Sequence, residues 1–169
     1  MIPRTEIIQS DFYQSYIDQI KDNDFCEAIR KNAKQFRRLL EKIPRKKFDY
    51  AYAEGKWTIR QMLQHIIDAE RVFAYRALRL SRMDPTPLPG WDENLWAQHD
   101  GAAERRWKDL LEEFRVVRES SEYLFDSLSD AQLRFVGTVW ERPLNAFTIG
   151  FILPGHVAHH MQILEERYL

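Results

Sequence analysis

Apolar residues return every three or four positions over four long stretches of this chain, the spacing that gathers them on one face of an α-helix. The first runs through Phe25, Ile29, Ala33, Phe36, Leu40 and Ile43 to Pro44, with Lys31, Lys34, Arg38 and Lys42 opposite. Asp24 and Glu27 open it as a capping box, and Thr58 with Gln61 opens the second. There Met62, Ile66, Ala69, Phe73, Ala77 and Leu80 form a stripe flanked by Ile59, Leu63, Ile67, Ala74 and Leu78. So wide an apolar face predicts a helix touching two neighbours. A third helix is expected from about Ala102 to Leu128 on Trp107, Leu110, Phe114, Val117, Leu124 and Leu128. The fourth, from about Asn145 to Tyr168, carries Ile149, Ile152, Leu153, Val157, Ile163 and Leu164. Pro154 lies inside it, and its missing N–H predicts a kink or a restart.

Shorter elements fill the gaps. Asp11 to Lys21 reads as a brief amphipathic helix or ordered lead-in, and Ser129 with Gln132 caps a short helix before Gly137. Three prolines between Asp84 and Gly90 force a loop. Four amphipathic helices with two long connections describe an all-α protein, a four-helix bundle. The length of 169 residues predicts one domain, residues 1–169. With 6 Gly and 7 Pro the chain also lacks the turn residues that an all-β fold consumes.

Charge narrows the partners. A net charge of −1 gives no general attraction to nucleic acid or anionic lipid. The cations between Arg30 and Lys47 read as a solvated helix face, since no aromatics interleave for base stacking. The single cysteine, Cys26, precludes an internal disulfide and fits a reducing compartment. The start MIPRTEIIQS lacks the pattern of a signal peptide, and no apolar run approaches a membrane span. A cytoplasmic domain with a small-molecule substrate, and no nucleic-acid or membrane partner, is the expectation.

The five histidines carry the candidate chemistry. His156 and His160, four residues apart, point the same way and fall in line with Leu153 and Leu164, while His65 holds a matching place between Met62 and Ala69. Such histidines read equally as hydrogen-bonded core residues, and His159 offers His156 a competing partner three residues on. Cost separates the two readings. Each unpaired buried polar group costs about 1–3 kcal/mol, against a total stability of roughly 5–15 kcal/mol. A shared metal ion offsets that cost, and three imidazoles leave coordination positions free for water or substrate. Imidazole suits zinc, nickel, iron or copper. No Glu-x-x-His occurs, which argues against a di-iron carboxylate bundle. Val157 stands where a zincin helix would carry its glutamate, so the ligand pair brings no general base. Asp68 reads as a partner of Arg71 or Arg60, Cys26 as a small apolar filler, and Trp91 and Trp96 as wall residues of a pocket or a contact.

GKWTIRQMLQHIIDAERVFAYRALR, PLPGWDENLW and GHVAHHMQILEERYL, in this order, resemble the second helix, the following loop and the last helix of DinB/YfiT-like proteins. The resemblance spans nearly the whole chain. It implies an up-down-down-up four-helix bundle, often dimeric, with a metal site of His65, His156 and His160 from which His159 is excluded. Characterised relatives include mycothiol-dependent isomerases and bacillithiol S-transferases. The expectation is therefore a homodimeric, metal-dependent thiol S-transferase or hydrolase-like enzyme, with zinc or nickel activating water or a low-molecular-weight thiol. The competing expectation is a non-catalytic bundle that binds a small ligand or partner, its metal structural or absent.

Overall fold

The computed structural model describes residues 2–169; after a 3-10 turn at Arg4–Glu6 comes a single α-helical turn, α1 (Gln14–Ile17), inside the Asp11–Lys21 stretch. Arg4 donates to the carbonyls of Ile17 and Ile20 at 3.0 and 2.5 Å, which satisfies groups that so short a helix leaves open. Asp24 then accepts from the N–H groups of Cys26 and Glu27 and launches α2 (Phe25–Lys42). Glu27 does not reach back, so this cap is half of the expected box. Thr58 and Gln61 form the complete reciprocal box ahead of α3 (Ile59–Ser81). The proline loop leads to α4 (Glu93–Ala97), capped by Asp92. Next come α5 (Trp107–Asp126) and α6 (Asp130–Arg134), the latter opened by the Ser129–Gln132 box. The third long helix is shorter than its periodicity: Ala102–Glu104 is a separate 3-10 turn, entered from Gly101 at φ +62°.

A hairpin absent from the sequence reading follows. Strands β1 (Val136–Val139) and β2 (Arg142–Asn145) pair antiparallel across Trp140 and Glu141, both left-handed at φ +48° and +62°. Leu88 of the proline loop joins its edge, donating to Thr138 O and accepting from Trp140 N–H. The last long helix, α7 (Ala146–Ile163), runs through Pro154 without the expected restart and passes into a wider π-type turn at Leu164–Tyr168. The expected helix to Tyr168 thus changes its winding five residues early.

Pairs of touching residues fix the topology. Phe25 meets Phe147 and Phe151, and Asn32 reaches Met161, so α2 and α7 run parallel. Phe36 on Phe114 with Arg30 on Asp126 makes α2 and α5 antiparallel. Gln64 beside Arg105 and Glu70 on Arg118 set α3 parallel to α5. His65 against His160 and Phe73 against His156 set α3 antiparallel to α7. The result is an up-down-down-up four-helix bundle, with main contacts running α2–α7–α3–α5 and back to α2.

The core divides into two apolar clusters. One gathers Phe25, Ile29, Phe73, Leu80, Phe125 and the first half of α7; the other holds Phe36, Leu40, Leu63, Ile67, Leu110, Phe114 and Leu164. Between them, at mid-height, each long helix contributes buried polar residues: Asn32, Glu70, Arg118 with Ser121, and His156 with His160. Burying this much polarity in one layer is costly unless its groups are partnered.

Helix α7 is held against α1 by a close approach at Gly155. A Cβ there would lie 2.6 Å from the carbonyl carbon of Tyr16 and collide with its oxygen, both backbone atoms that cannot swing aside. Gly155→Ala should therefore force α1 off α7 and cost about 1–3 kcal/mol in denaturant unfolding. A change below about 0.5 kcal/mol would show that α1 is free to yield.

Candidate metal centre

Two helices deliver three imidazoles to one point. His65 stands two turns into α3, on the side facing α7, and His156 and His160 lie one turn apart on α7. His156 Nε2 sits 3.0 Å from His65 Nε2 and 3.1 Å from His160 Nε2, and the three ligand atoms all lie within 4.8 Å of one another. Trp57, just before the α3 cap, stacks at an angle on His65 with ring centroids 4.6 Å apart. Phe73 and Tyr16 close around His156.

The donor set fits a cation. A neutral imidazole carries one N–H and one lone pair, so a single proton on His156 Nε2 satisfies one neighbour and leaves the other lone pair opposed. A positive ion satisfies all three Nε2 atoms together. His160 Nδ1 is buried with no partner, so only the Nε2 side of this ring is engaged. His65, His156 and His160 could thus hold a divalent metal, in the three-imidazole pattern that suits zinc or its neighbours.

Burial sets their protonation. It drives His65 down to about 4, with the nearby charge of His159 adding to it. Burial, reinforced by the facing imidazoles, drives His156 and His160 well below the ordinary 6.5. All three are neutral, ligand-ready bases at pH 7. The sign of the linkage follows: between 6.5 and the folded values the unfolded chain binds protons that the fold does not. Chelator-treated protein should therefore lose stability as pH falls from 6.5 towards about 4, by about 1.4 kcal/mol per pH unit for each such imidazole. Thermal unfolding across this range checks it; a flat profile would mean that the rings take up protons in place.

A cavity of ≈ 140 Å³ opens onto the histidines. Its walls come from separate segments: Phe12, Tyr13 and Tyr16 around α1, Trp57, Phe73 of α3, Trp91 and Glu93, and Trp140 of the hairpin turn. Burial raises the Tyr16 phenol above its usual range, so it stays a protonated donor. Glu93, placed on the first turn of α4 by its Asp92 cap, is the one carboxylate among these residues. Gly90 lets the proline loop close on Trp140: a Cβ there would come within 2.8 Å of the indole.

The other sequence candidates fall outside. His159 is half-buried against the Tyr16 ring, apart from the three-nitrogen cluster, and His99 is not among the residues that line the cavity. Asp68 accepts from Gln64 at 2.9 Å and lies 3.4 Å from Arg71, as a surface partner. Burial pushes the Cys26 thiol up to about 12, with Asp126 and Asp24 adding to it, so it packs as an inert apolar residue. Trp91 lines the cavity, whereas Trp96 lies outside the lining, its ring centroid 6.0 Å from that of Trp91. Sequence reasoning missed Tyr16, Trp57, Glu93 and Trp140. Only the acid directly after the Asp92 cap carried a readable signal, since an N-cap fixes the direction of the first turn.

The chain is similar to known proteins in sequence and in fold. The sequence profile of the DinB superfamily matches residues 28–164. YfiT from Bacillus subtilis, described as a probable metal-dependent hydrolase with an unusual four-helix bundle topology, superposes with a TM-score of 0.74. That match covers 98% of this chain and 90% of YfiT at 19% identity, and it speaks for the fold. A protein of Oceanobacillus iheyensis, provisionally named a metal-dependent hydrolase, is 40% identical over 47 residues. This aligned stretch is 27% of the chain and 27% of that relative's length. No helix among the described residues is long and apolar enough to cross a membrane.

Proposed function

Since the chain belongs to the DinB superfamily, we propose that it is a metal-dependent enzyme of hydrolase-like or thiol-transfer type, acting on a small, largely apolar electrophile. The single observation that carries this reading is the convergence of three Nε2 atoms, within 4.8 Å of one another, at the floor of an aromatic cavity. His65, His156 and His160 are the ligands in this proposal, and zinc and nickel are the favoured ions. A divalent ion there supplies Lewis acidity and lowers the pKa of a water or thiol that joins it.

The chain's own residues do the rest. Among the described residues no cysteine, serine or threonine lines the cavity, so the nucleophile in this proposal comes from solution, as water or a low-molecular-weight thiol. Neutral imidazoles keep their lone pairs for the ion at physiological pH. The rings of Tyr16, Phe73, Trp91 and Trp140 favour a flat apolar substrate and exclude bulk water. Glu93 is the base that the ligand helix lacks, its carboxylate taking the proton of the incoming nucleophile, and the Tyr16 hydroxyl is the donor to a leaving or developing oxygen. The names of the two relatives support the hydrolytic form.

The test compares chelated and zinc- or nickel-loaded protein against activated esters and amides in water, and against epoxides and halogenated aromatics with thiols. Turnover should vanish on chelation and return with metal. Glu93→Gln should lower it about 100-fold while metal content stays unchanged. Full metal occupancy with a large chelation-dependent drop in melting temperature, and no turnover anywhere in the screen, would assign the ion a structural role instead.

A further inference from the structure

Behind the aromatic cavity lies a buried charge that neither the ion site nor the proposed acid and base require. Arg76 stands on α3 about one turn beyond Phe73 and is 2% exposed. Arg118, equally buried, has the Glu70 carboxylate beside it. Arg76 has no carboxylate partner among the described residues. Its Nη2 donates to the carbonyl of Pro89 at 2.6 Å, and its Nη1 reaches the Tyr13 hydroxyl at 3.5 Å. A guanidinium keeps its proton at any working pH, so two neutral oxygens hold a full positive charge away from water. Burying a charge without a counter-charge is costly, and a nearby anion offsets that cost.

The groups around this charge are walls of the cavity. The guanidinium carbon lies 4.8 Å from the centre of the Trp91 ring and 5.8 Å from that of Phe73, and Trp91, Phe73 and Tyr13 all line the cavity. Arg76 itself is not part of the lining, so it acts on an occupant through its field and not by contact. A ligand resting on the Trp91 ring lies about 8 Å from the guanidinium, where a unit charge acting through protein changes affinity by about tenfold. Glu93 on the lining and Arg142 over the Trp140 ring carry opposite charges on exposed side chains, which water and salt screen. The buried charge therefore sets the sign of the cavity.

We propose that Arg76 makes the aromatic cavity selective for anions, and that the substrate is a flat aromatic ring bearing a carboxylate or similar negative group. This inference rests on the cavity being the substrate site and not on the ion. Arg76 determines specificity without touching the reacting atoms. Holding the proline loop through Pro89 and Trp91 needs a donor and a flat surface but no charge, and that difference separates the two roles.

The full chain, stripped of metal by chelation, is titrated with benzoate, with benzamide as its neutral match in shape, and with benzylammonium. Tryptophan fluorescence and calorimetry report binding. Benzoate should bind about tenfold more tightly than benzamide, and benzylammonium most weakly. Arg76→Gln keeps a donor for Pro89 but removes the charge, and should bring the ratio of benzoate to benzamide affinity close to one. Arg76→Lys keeps the charge and should keep the preference; circular dichroism checks that each variant is folded. Equal affinity for benzoate and benzamide in the unmodified protein, an undiminished preference in Arg76→Gln, or no saturable binding of any probe at millimolar concentrations would each overturn the proposal. Metal content judges the histidine centre separately. Bound ion in a protein without the preference would spare that centre and end this inference, and the preference in a protein that takes up no metal would do the reverse.

Discussion

His156→Ala should strip the protein of its divalent metal: content measured by atomic emission after loading and desalting should fall from near one equivalent to about a tenth or less. His156 is the hinge of the cluster, its Nε2 being the atom that touches both others, at 3.0 and 3.1 Å. Without it, one imidazole from α3 and one from α7 remain, and two neutral donors on separate helices hold a divalent ion poorly. His159→Ala is the matched control, because that ring rests on Tyr16 and stands outside the cluster, and it should keep its metal. A second readout follows from linkage. Chelation should lower the melting temperature of the unmodified protein but leave His156→Ala unmoved, since only a fold that binds the ion is stabilised by it. Equal metal content in His156→Ala and His159→Ala would remove the three-histidine centre, and with it the proposed chemistry.

The parts of the fold visible in the sequence were those written in local physics. The caps at Thr58 and Ser129 close as reciprocal boxes because their partners sit three residues on, a purely local relation. The histidine cluster was legible for a similar reason: i, i+4 spacing fixes direction, and His65 lies on a stripe that must face the core. The hairpin was not, because its turn is Trp140-Glu141, two bulky residues in left-handed conformations where the readable signal would be Asn-Gly. It exists because tertiary contacts hold it, with Leu88 on its edge and Gly90 beneath the Trp140 indole. Pro154 misled in the opposite direction. Its surroundings are buried throughout, with Phe25 packed on Gly150 and Tyr16 on Gly155, and this packing keeps α7 in line despite one missing hydrogen bond. The aromatic cavity had no linear signature, since its walls come from five places in the chain.

The buried polar layer could have been read, and shows what to look for. Glu70 falls on the stripe between Ile66 and Phe73, and Arg118 falls four residues after Phe114, each a charge where the period demands an apolar side chain. In the structure they meet, 2% exposed each, joined by one hydrogen bond of 2.8 Å. Neither is fully satisfied, since Glu70 Oε1 also lacks a partner. Removing one member should therefore be far worse than removing both. Arg118→Met leaves a buried carboxylate without its cation and should cost about 3–5 kcal/mol in urea unfolding, a large share of a typical total. The double variant Glu70→Leu with Arg118→Met should recover most of that loss, because apolar replacements of similar size need no partners. The pH dependence supplies the signature. Burial already raises the Glu70 carboxyl above its ordinary value even with Arg118 beside it, and loss of the cation raises it further. A folded pKa above the unfolded one means that the fold holds the proton more tightly, so stability is gained as pH falls through that window and lost as it rises. The deficit of Arg118→Met relative to the unmodified protein should shrink on acidification, whereas a deficit from lost packing alone would stay constant. A single variant no less stable than the double would show that Glu70 reaches water once its partner is gone, and the layer would then be solvated at its centre.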